Sequence, residues 1–198
     1  MANLSLLDIP CVILCGGKSS RMGEDKSLLP FSSSNTLTQY QYEKLKQLFK
    51  NVYLSSKTDK FDFISKDELI LDEAKVYSPI AALQSIFSKI DSEKVFIITV
   101  DTPLVKLDSI NEIIDKSKDS DITVAKTSRV HNLCGLFNKQ KLITIIDNMI
   151  KDDFHKVGYL LKQVNTSFIE FDNDDEFINL NEKEEYQKAL NIISIINN

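Results

Sequence analysis

IPCVILCGGKSSRMGEDKSLLPF, residues 9–31, decides how this 198-residue chain is read. A short apolar run, Cys11 to Leu14, stops at Gly16-Gly17, and a polar loop follows. That loop carries Lys18, Ser19, Ser20, Arg21, Gly23 and Lys26 before apolar residues resume at Leu28. Glycines let the backbone approach a ligand closely and aim its N–H groups at anionic oxygens. Three cations in the same loop would neutralise a triphosphate. A loop of this kind at the carboxyl end of a strand sits where open α/β sheets bind ligands. The spacing excludes two commoner glycine motifs. A P-loop needs Gly-x4-Gly-Lys-Ser/Thr, but Gly23 is followed by Glu24 and the fifth residue after Gly17 is Met22; G-x-G-x-x-G is also missing. What stands here is Gly-Gly-x5-Gly-x2-Lys.

Outward from that loop, apolar runs alternate with helical patterns. Strands are expected at residues 10–15, 52–55, 69–71 and 95–100, the last being the most apolar run of the chain and so a central, doubly covered strand. A helix is expected over 36–49. A second should open at Ser78-Pro79, an N-cap followed by proline at the first helical position, with Ile80, Leu83, Phe87 and Ile90 as its inward stripe. Asp108 is expected to cap a helix reaching about Lys116. Strands follow at 122–125 and 133–137, a helix at 139–150, a strand at 168–171 and an extended piece at 177–180. Asn181 with Glu184 three residues on resembles a capping arrangement for a last helix over 182–196. Alternation of strand and helix predicts an α/β fold: a three-layer α/β/α sandwich on a mostly parallel, Rossmann-like sheet. With no repeats or linkers, residues 1–198 are read as one domain.

Composition narrows the function. Hydrophobic residues make up 42% and charged residues 27%, an ordinary globular balance. The net charge of -5 argues against broad attraction to nucleic acid. Positive charge is concentrated in the loop instead, and Arg21 is one of only two arginines beside twenty-two lysines. A guanidinium there suits bidentate phosphate contact. Cys11, Cys15 and Cys134 are odd in number and lack CxxC spacing, so neither a disulfide framework nor a zinc site is indicated. No stretch has the roughly 20 apolar residues a membrane helix needs, and no secretory signal is apparent, so a cytoplasmic protein is expected.

In a parallel sheet the residues just past each strand meet along one edge. Here these are Gly16-Gly17, Ser55-Ser56, Asp72 and Asp101. Aspartates in such places suit a hard cation, because Mg²⁺ takes carboxylate and phosphate oxygens together. Each has a plainer reading as a turn or capping residue. His131 and His155 read as surface or structural histidines.

LCGGKSSRMGEDKSLL resembles the signature loop of the nucleotidyltransferases related to molybdenum cofactor guanylyltransferase, with Cys15 where that family usually has alanine. The resemblance implies that Leu14, Cys15, Gly16, Gly17, Lys18, Ser19 and Lys26 wrap the triphosphate of an incoming nucleotide. VDTP around Asp101 resembles the family's strand-terminal aspartate that holds the metal, so Mg²⁺ is the implied cofactor and Asp101 its ligand. Arg21, Lys26 and Asp101 are the implied catalytic residues. ILDEAKVYSPIAAL resembles the segment in which an aspartate, here Asp72, contacts the nucleoside, although Ser78 and Ala82 stand where the family usually has glycines. Ser55 falls where guanylyl-transferring members often carry asparagine. Phe177-Ile178-Asn179-Leu180-Asn181 resembles the late Asn-x-Asn element near the pterin-bearing substrate; Asn181 also makes sense as a helix cap. His131-Asn132 falls where relatives often show His-Pro.

The resemblance implies transfer of GMP from GTP to Mo-molybdopterin with release of pyrophosphate. The part up to about residue 104 would hold the nucleotide and the remainder the second substrate. Molybdenum-cofactor chaperones and target oxidoreductases are implied partners; nucleic acid and membrane are not. A cytidylyl- or sugar-nucleotide transferase of the same fold, or a nucleotide-binding accessory protein without turnover, are the alternatives.

Overall fold

Cys11, Val12, Ile13 and Leu14 are all buried, so the first strand, β1 (Cys11–Leu14), must be covered on both faces. In the computed structural model, which describes residues 6–16, 25–74 and 76–196, it lies inside a seven-stranded sheet. The other strands are β2 (Val52–Ser56), β3 (Leu69–Leu71), β4 (Lys94–Thr99), β5 (Ile122–Lys126), β6 (Val130–Asn138) and β7 (Thr166–Glu170), in the order β3-β2-β1-β4-β6-β5-β7. β3, β2, β1 and β4 run parallel, β6 is antiparallel to both β4 and β5, and β7 is parallel to β5. The sheet is therefore mostly parallel, as expected, with one reversed strand beside β4.

Alternation along the strands divides the core. Cys11, Ile13 and Cys15 share one face with Phe96 and Ile98, under α1 (Leu37–Leu45), α3 (Leu107–Asp115) and α6 (Lys183–Ile196). Val12 and Leu14 point the other way with Val95 and Ile97, under α2 (Pro79–Lys89), α4 (Lys139–Lys151) and α5 (Val157–Gln163). The result is the three-layer sandwich of the sequence reading. Among the described residues no helix is long and apolar enough to cross a membrane.

Several boundaries move. α1 stops at Leu45, and Phe49 turns into the core against Phe96, with ring centroids 5.6 Å apart. α3 begins one residue before Asp108, which lies in its first turn; the N–H of Lys106 is met instead by the buried carboxylate of Glu176 at 3.1 Å. The extended piece expected at 177–180 begins one residue later, since Asp174–Phe177 is a 3-10 turn and Ile178 beyond it is extended, outside any strand. α5 has no counterpart in the sequence reading.

Gly135 lies in β6 where β5 crosses so closely that a Cβ there would sit 2.1 Å from the carbonyl oxygen of Thr123. Only backbone could move to relieve that overlap. Gly135→Ala is expected to cost about 3 kcal/mol, the upper range for overpacking a core, in urea unfolding followed by circular dichroism.

Candidate active site at the sheet crevice

The chain reverses direction across the sheet between β1 and β4: β2 and β3 extend to one side of β1, and everything after β4 lies on the other. Such a switch point opens a crevice at the carboxyl ends of the strands. Its register is fixed by pairing. Leu14 is opposite Ser55 on β2 and Thr99 on β4, the N–H of Cys15 donates to the Ser55 carbonyl at 2.8 Å, and that of Val100 to the Leu14 carbonyl at 3.0 Å. Gly16, Asp101 and the end of β2 therefore emerge together.

Lys26 reaches this crevice from a 3-10 turn, Lys26–Leu28, which Asp25 caps by accepting from the N–H of Ser27 at 3.1 Å. Lys60 holds Asp25 from the far side and also donates to the Ser27 hydroxyl at 2.9 Å. Thr38 of α1 donates to the Ser27 carbonyl at 2.7 Å. Fixed in this way, the Lys26 ammonium lies 2.6 Å from Asp101 Oδ2 and 3.1 Å from Asn181 Oδ1. The three residues border a cavity of about 240 Å³ with Leu14, Cys15, Gly16 and Thr99. Around the position a Gly16 Cβ would take, no atom of the described residues lies within 4 Å.

Asp101 is held from below and behind. Lys44 of α1 donates to the carbonyls of Pro103 and Val105 at 2.6 and 2.8 Å, and burial pulls its ammonium down to about 8. The carbonyl of Asp101 accepts from the N–H of Leu180 at 2.8 Å, which brings the late Asn-x-Asn segment to the site. Asp101 Oδ2 faces Lys26, whereas Oδ1 is buried without a hydrogen-bond partner among the described residues.

A second cavity, about 640 Å³, continues from the same edge between β2 and the start of α2, lined by Leu14, Gly16, Ser55, Asp72, Tyr77 and Pro79 among others. Ser55 is buried there and its hydroxyl has no hydrogen-bond partner among the described residues. Asp72 is fully engaged: Oδ1 accepts from the N–H of Ala74 and the hydroxyl of Ser85, both at 3.1 Å, and Oδ2 lies 2.8 Å from the Lys57 ammonium. Cys15 contributes floor rather than chemistry, its thiol pushed up to about 12 by burial.

The two asparagines part company. Asn181 joins Lys26, but Asn179 accepts from Arg129 at 3.1 Å and borders a neighbouring cavity of about 230 Å³ with Thr102, His131 and Asn132. Asn181 does not cap α6 with its side chain. The capping carboxylate is that of Glu185, not Glu184; it accepts from the N–H groups of Asn181 and Glu182 at 2.7 and 2.9 Å. His131 is buried, hydrogen-bonded to Thr127 at 2.9 Å and stacked near Phe177; burial and then the Arg129 cation pull it down to about 4. Gly17, Lys18, Ser19 and Arg21 lie outside the described residues. Sequence reasoning missed Lys57, Lys60 and Arg129, which become visible only once β2 and the β5–β6 turn are placed.

A cationic turn and a strand-terminal carboxylate thus meet at the switch point of a Rossmann-like sheet, beside an open crevice. Residues 11–165 match the family described as the MobA-like NTP transferase domain, and the chain belongs to that family of nucleotidyltransferases. A Campylobacter jejuni subsp. doylei protein named molybdenum cofactor guanylyltransferase is 43% identical over 190 residues, 93% of this chain and 97% of its own. A Helicobacter pylori protein of the same name is 33% identical over 199 residues, 98% of this chain and 97% of its own. The crystal structure of molybdopterin-guanine dinucleotide biosynthesis protein A from Archaeoglobus fulgidus superposes with a TM-score of 0.80 at 18% identity, covering 94% of this chain and 100% of that one, a likeness of fold.

Two expectations follow. Glu185→Ala should lower stability by about 1 kcal/mol, as loss of a helix-terminal cap does, while Asn181→Ala should leave it within about 0.5 kcal/mol, both read by urea denaturation. For His131 the folded pKa, about 4, lies below the ordinary value of 6.5. The unfolded chain thus takes up this proton first, so stability falls as pH drops from 6.5 toward 4. His131→Gln should flatten that part of the stability–pH curve.

Proposed function

We propose that this protein transfers GMP from GTP to Mo-molybdopterin in the cytoplasm, forming molybdopterin guanine dinucleotide and releasing pyrophosphate, with Mg²⁺ as its metal. The observation that carries the reading is the contact between Lys26 and Asp101, 2.6 Å apart in space and 75 residues apart in sequence, over the crevice that a nucleotide would occupy. The identity to guanylyltransferases along nearly the whole chain supplies the substrates.

Nucleotidyl transfer is attack of an anionic phosphate oxygen on the α-phosphorus with pyrophosphate leaving, so catalysis rests on positioning and charge neutralisation. Lys26 neutralises the charge that builds on the phosphoryl oxygens, and Asn181 keeps its ammonium aimed into the cleft. On the family motif Gly16, Gly17, Lys18, Ser19 and Arg21 grip the triphosphate. The nucleoside takes the 640 Å³ cavity, where the unsatisfied Ser55 hydroxyl has a hydrogen bond to give and Asp72 braces the wall. The part of the chain after about residue 104 takes the acceptor, with Arg129 and Asn179 beside the site.

Asp101 fits a Mg²⁺ ligand: its Oδ1 is a buried carboxylate oxygen with no partner, at the crevice's edge. No group of three or more His, Cys, Asp or Glu residues among the described ones is disposed to hold a metal, so the ion would complete its shell with phosphate and water oxygens. When bound, it supplies Lewis-acid polarisation and charge neutralisation at the phosphates. No general base is needed, because a phosphomonoester is already anionic at neutral pH, and His131 stays neutral in its buried setting.

With GTP, Mg²⁺ and Mo-molybdopterin the protein should release pyrophosphate. Turnover with CTP but not GTP would exclude the guanylyl assignment. Lys26→Ala and Asp101→Asn should each lower turnover by about 100-fold or more while unfolding within a few degrees of wild type. Normal turnover in both would place the chemistry elsewhere.

A further inference from the structure

Lys57 belongs to no motif, yet it makes polar and aromatic contacts beside the larger cavity. It follows β2 directly, and its ammonium lies 2.8 Å from Asp72 Oδ2 with both side chains largely buried. The same ammonium donates to the carbonyl of Ala74 and, at 3.3 Å, to that of Val76. It also sits 5.1 Å from the centroid of the Tyr77 ring. One cation thus gathers a carboxylate, two carbonyls and an aromatic face from the chain that leads from β3 into α2. These are the residues that wall the 640 Å³ cavity: Asp72, Val76, Tyr77 and Ser78 border it, and so does Lys57 itself.

Packing alone would not hold that wall. Val76 and Tyr77 are 47% and 61% exposed. The Ala74 and Val76 carbonyls belong to no helix or strand, so Lys57 is the donor that satisfies them. Asp72 is tied to Ser85 on α2, so the tether runs from the end of β2 through the wall to the helix behind it.

We infer that Lys57 is a positioning residue for the nucleoside, a tether that holds the wall formed by Asp72, Val76, Tyr77 and Ser78 against the larger cavity and so sets nucleotide affinity rather than the rate of transfer. This deepens the guanylyltransferase reading and rests on it. Lys57 touches neither the 240 Å³ cavity nor the Lys26–Asp101 pair, which separates its effect from that of the phosphate site. Arginine could keep the carboxylate contact and the stacking on Tyr77, whereas methionine keeps only the length.

Calorimetric titration with GTP and Mg²⁺, with steady-state kinetics alongside, tests the tether. Lys57→Met should weaken GTP binding and raise its KM about tenfold, with kcat at saturation within about twofold, the pattern of lost uniform binding. Lys57→Arg should recover most of the affinity. Because Lys57→Met leaves the Asp72 charge unpaired, the Lys57→Met/Asp72→Asn double variant serves as a second form that removes both charges; it should fold and bind GTP as weakly as Lys57→Met. Amide hydrogen exchange at Ala74, Val76 and Tyr77 should quicken in Lys57→Met while β1 and β4 are unchanged. If wild type binds GTP and both methionine variants bind it equally well, the tether is overturned and the guanylyl reading stands. If wild type binds no GTP, the guanylyl reading falls, and unchanged exchange at these amides would then overturn the tether as well.

Discussion

The parallel register of β1 on β4 is the constraint on which the site depends. Leu14 opposite Thr99 means that two chain segments leave the sheet at the same height, one through Gly16 and the other through Asp101. Both strands are paired along both edges, and their side chains fill the core on both faces, so the register has little slack. A slip of one residue would invert the faces of β1 and send Val12 and Leu14 into the wrong layer. The meeting of Lys26 with Asp101 follows from that register: the ion pair needs no long-range search, because the sheet has already brought its two carriers together.

Around this pairing, polar groups buried beneath the crevice do for the loops what the sheet does for the strands. Lys44 caps two carbonyls of the loop after β4, Glu176 meets the first free N–H of α3, and the Asp101 carbonyl ties down Leu180. These contacts connect α1, the loop after β4 and the approach to α6. Buried polar groups of this kind are costly unless satisfied, and here they are satisfied by one another. The late segment carrying Asn179 and Asn181 is therefore positioned by backbone contact with the loop after β4, not by a helix or strand of its own. Its two asparagines consequently face different cavities, one toward Lys26 and the other toward Arg129.

Much of this was legible in the sequence, for identifiable reasons. Continuous apolar runs at 11–14 and 95–98 mark doubly covered strands, and Ser78-Pro79 marks a helix start through local capping chemistry: Ser78 does accept from the N–H of Ala81. Lys26 and Asp101 were legible because the first closes the Gly-Gly-x5-Gly-x2-Lys loop and the second follows the apolar run of β4, each within a stretch that resembles the family's. What escaped was governed by contacts between distant segments. The antiparallel run of β6 has no local signature, since an apolar strand reads alike in either direction. The cap of α6 was misplaced by one glutamate because Glu184 and Glu185 are equivalent in pattern and only the approach angle of the chain chooses between them. Lys57 and Arg129 were invisible among exposed-looking polar neighbours until folding gave them partners.

The cations of the crevice show why an acidic chain can still handle a polyphosphate. Lys26, Lys57 and Lys60 each come to the carboxyl edge of the sheet already paired, with Asp101, Asp72 and Asp25 respectively. The pairs cancel charge locally, so these three lysines form no bare cluster, and each ammonium is held in place before any ligand arrives. Pre-ordering of this kind reduces the entropy lost on binding. The three pairs then differ in what an anion can do with them. The Asp72–Lys57 and Asp25–Lys60 pairs are braced by further hydrogen bonds to Ser85 and Ser27, which makes them scaffold. Asp101 keeps one oxygen without a partner among the described residues, so on the proposed function this is the pair in which a metal would take the carboxylate while a phosphate takes the ammonium. An exchange of partners there would conserve charge and leave neither group of the pair buried alone, which is what would set a reactive ion pair apart from a structural one.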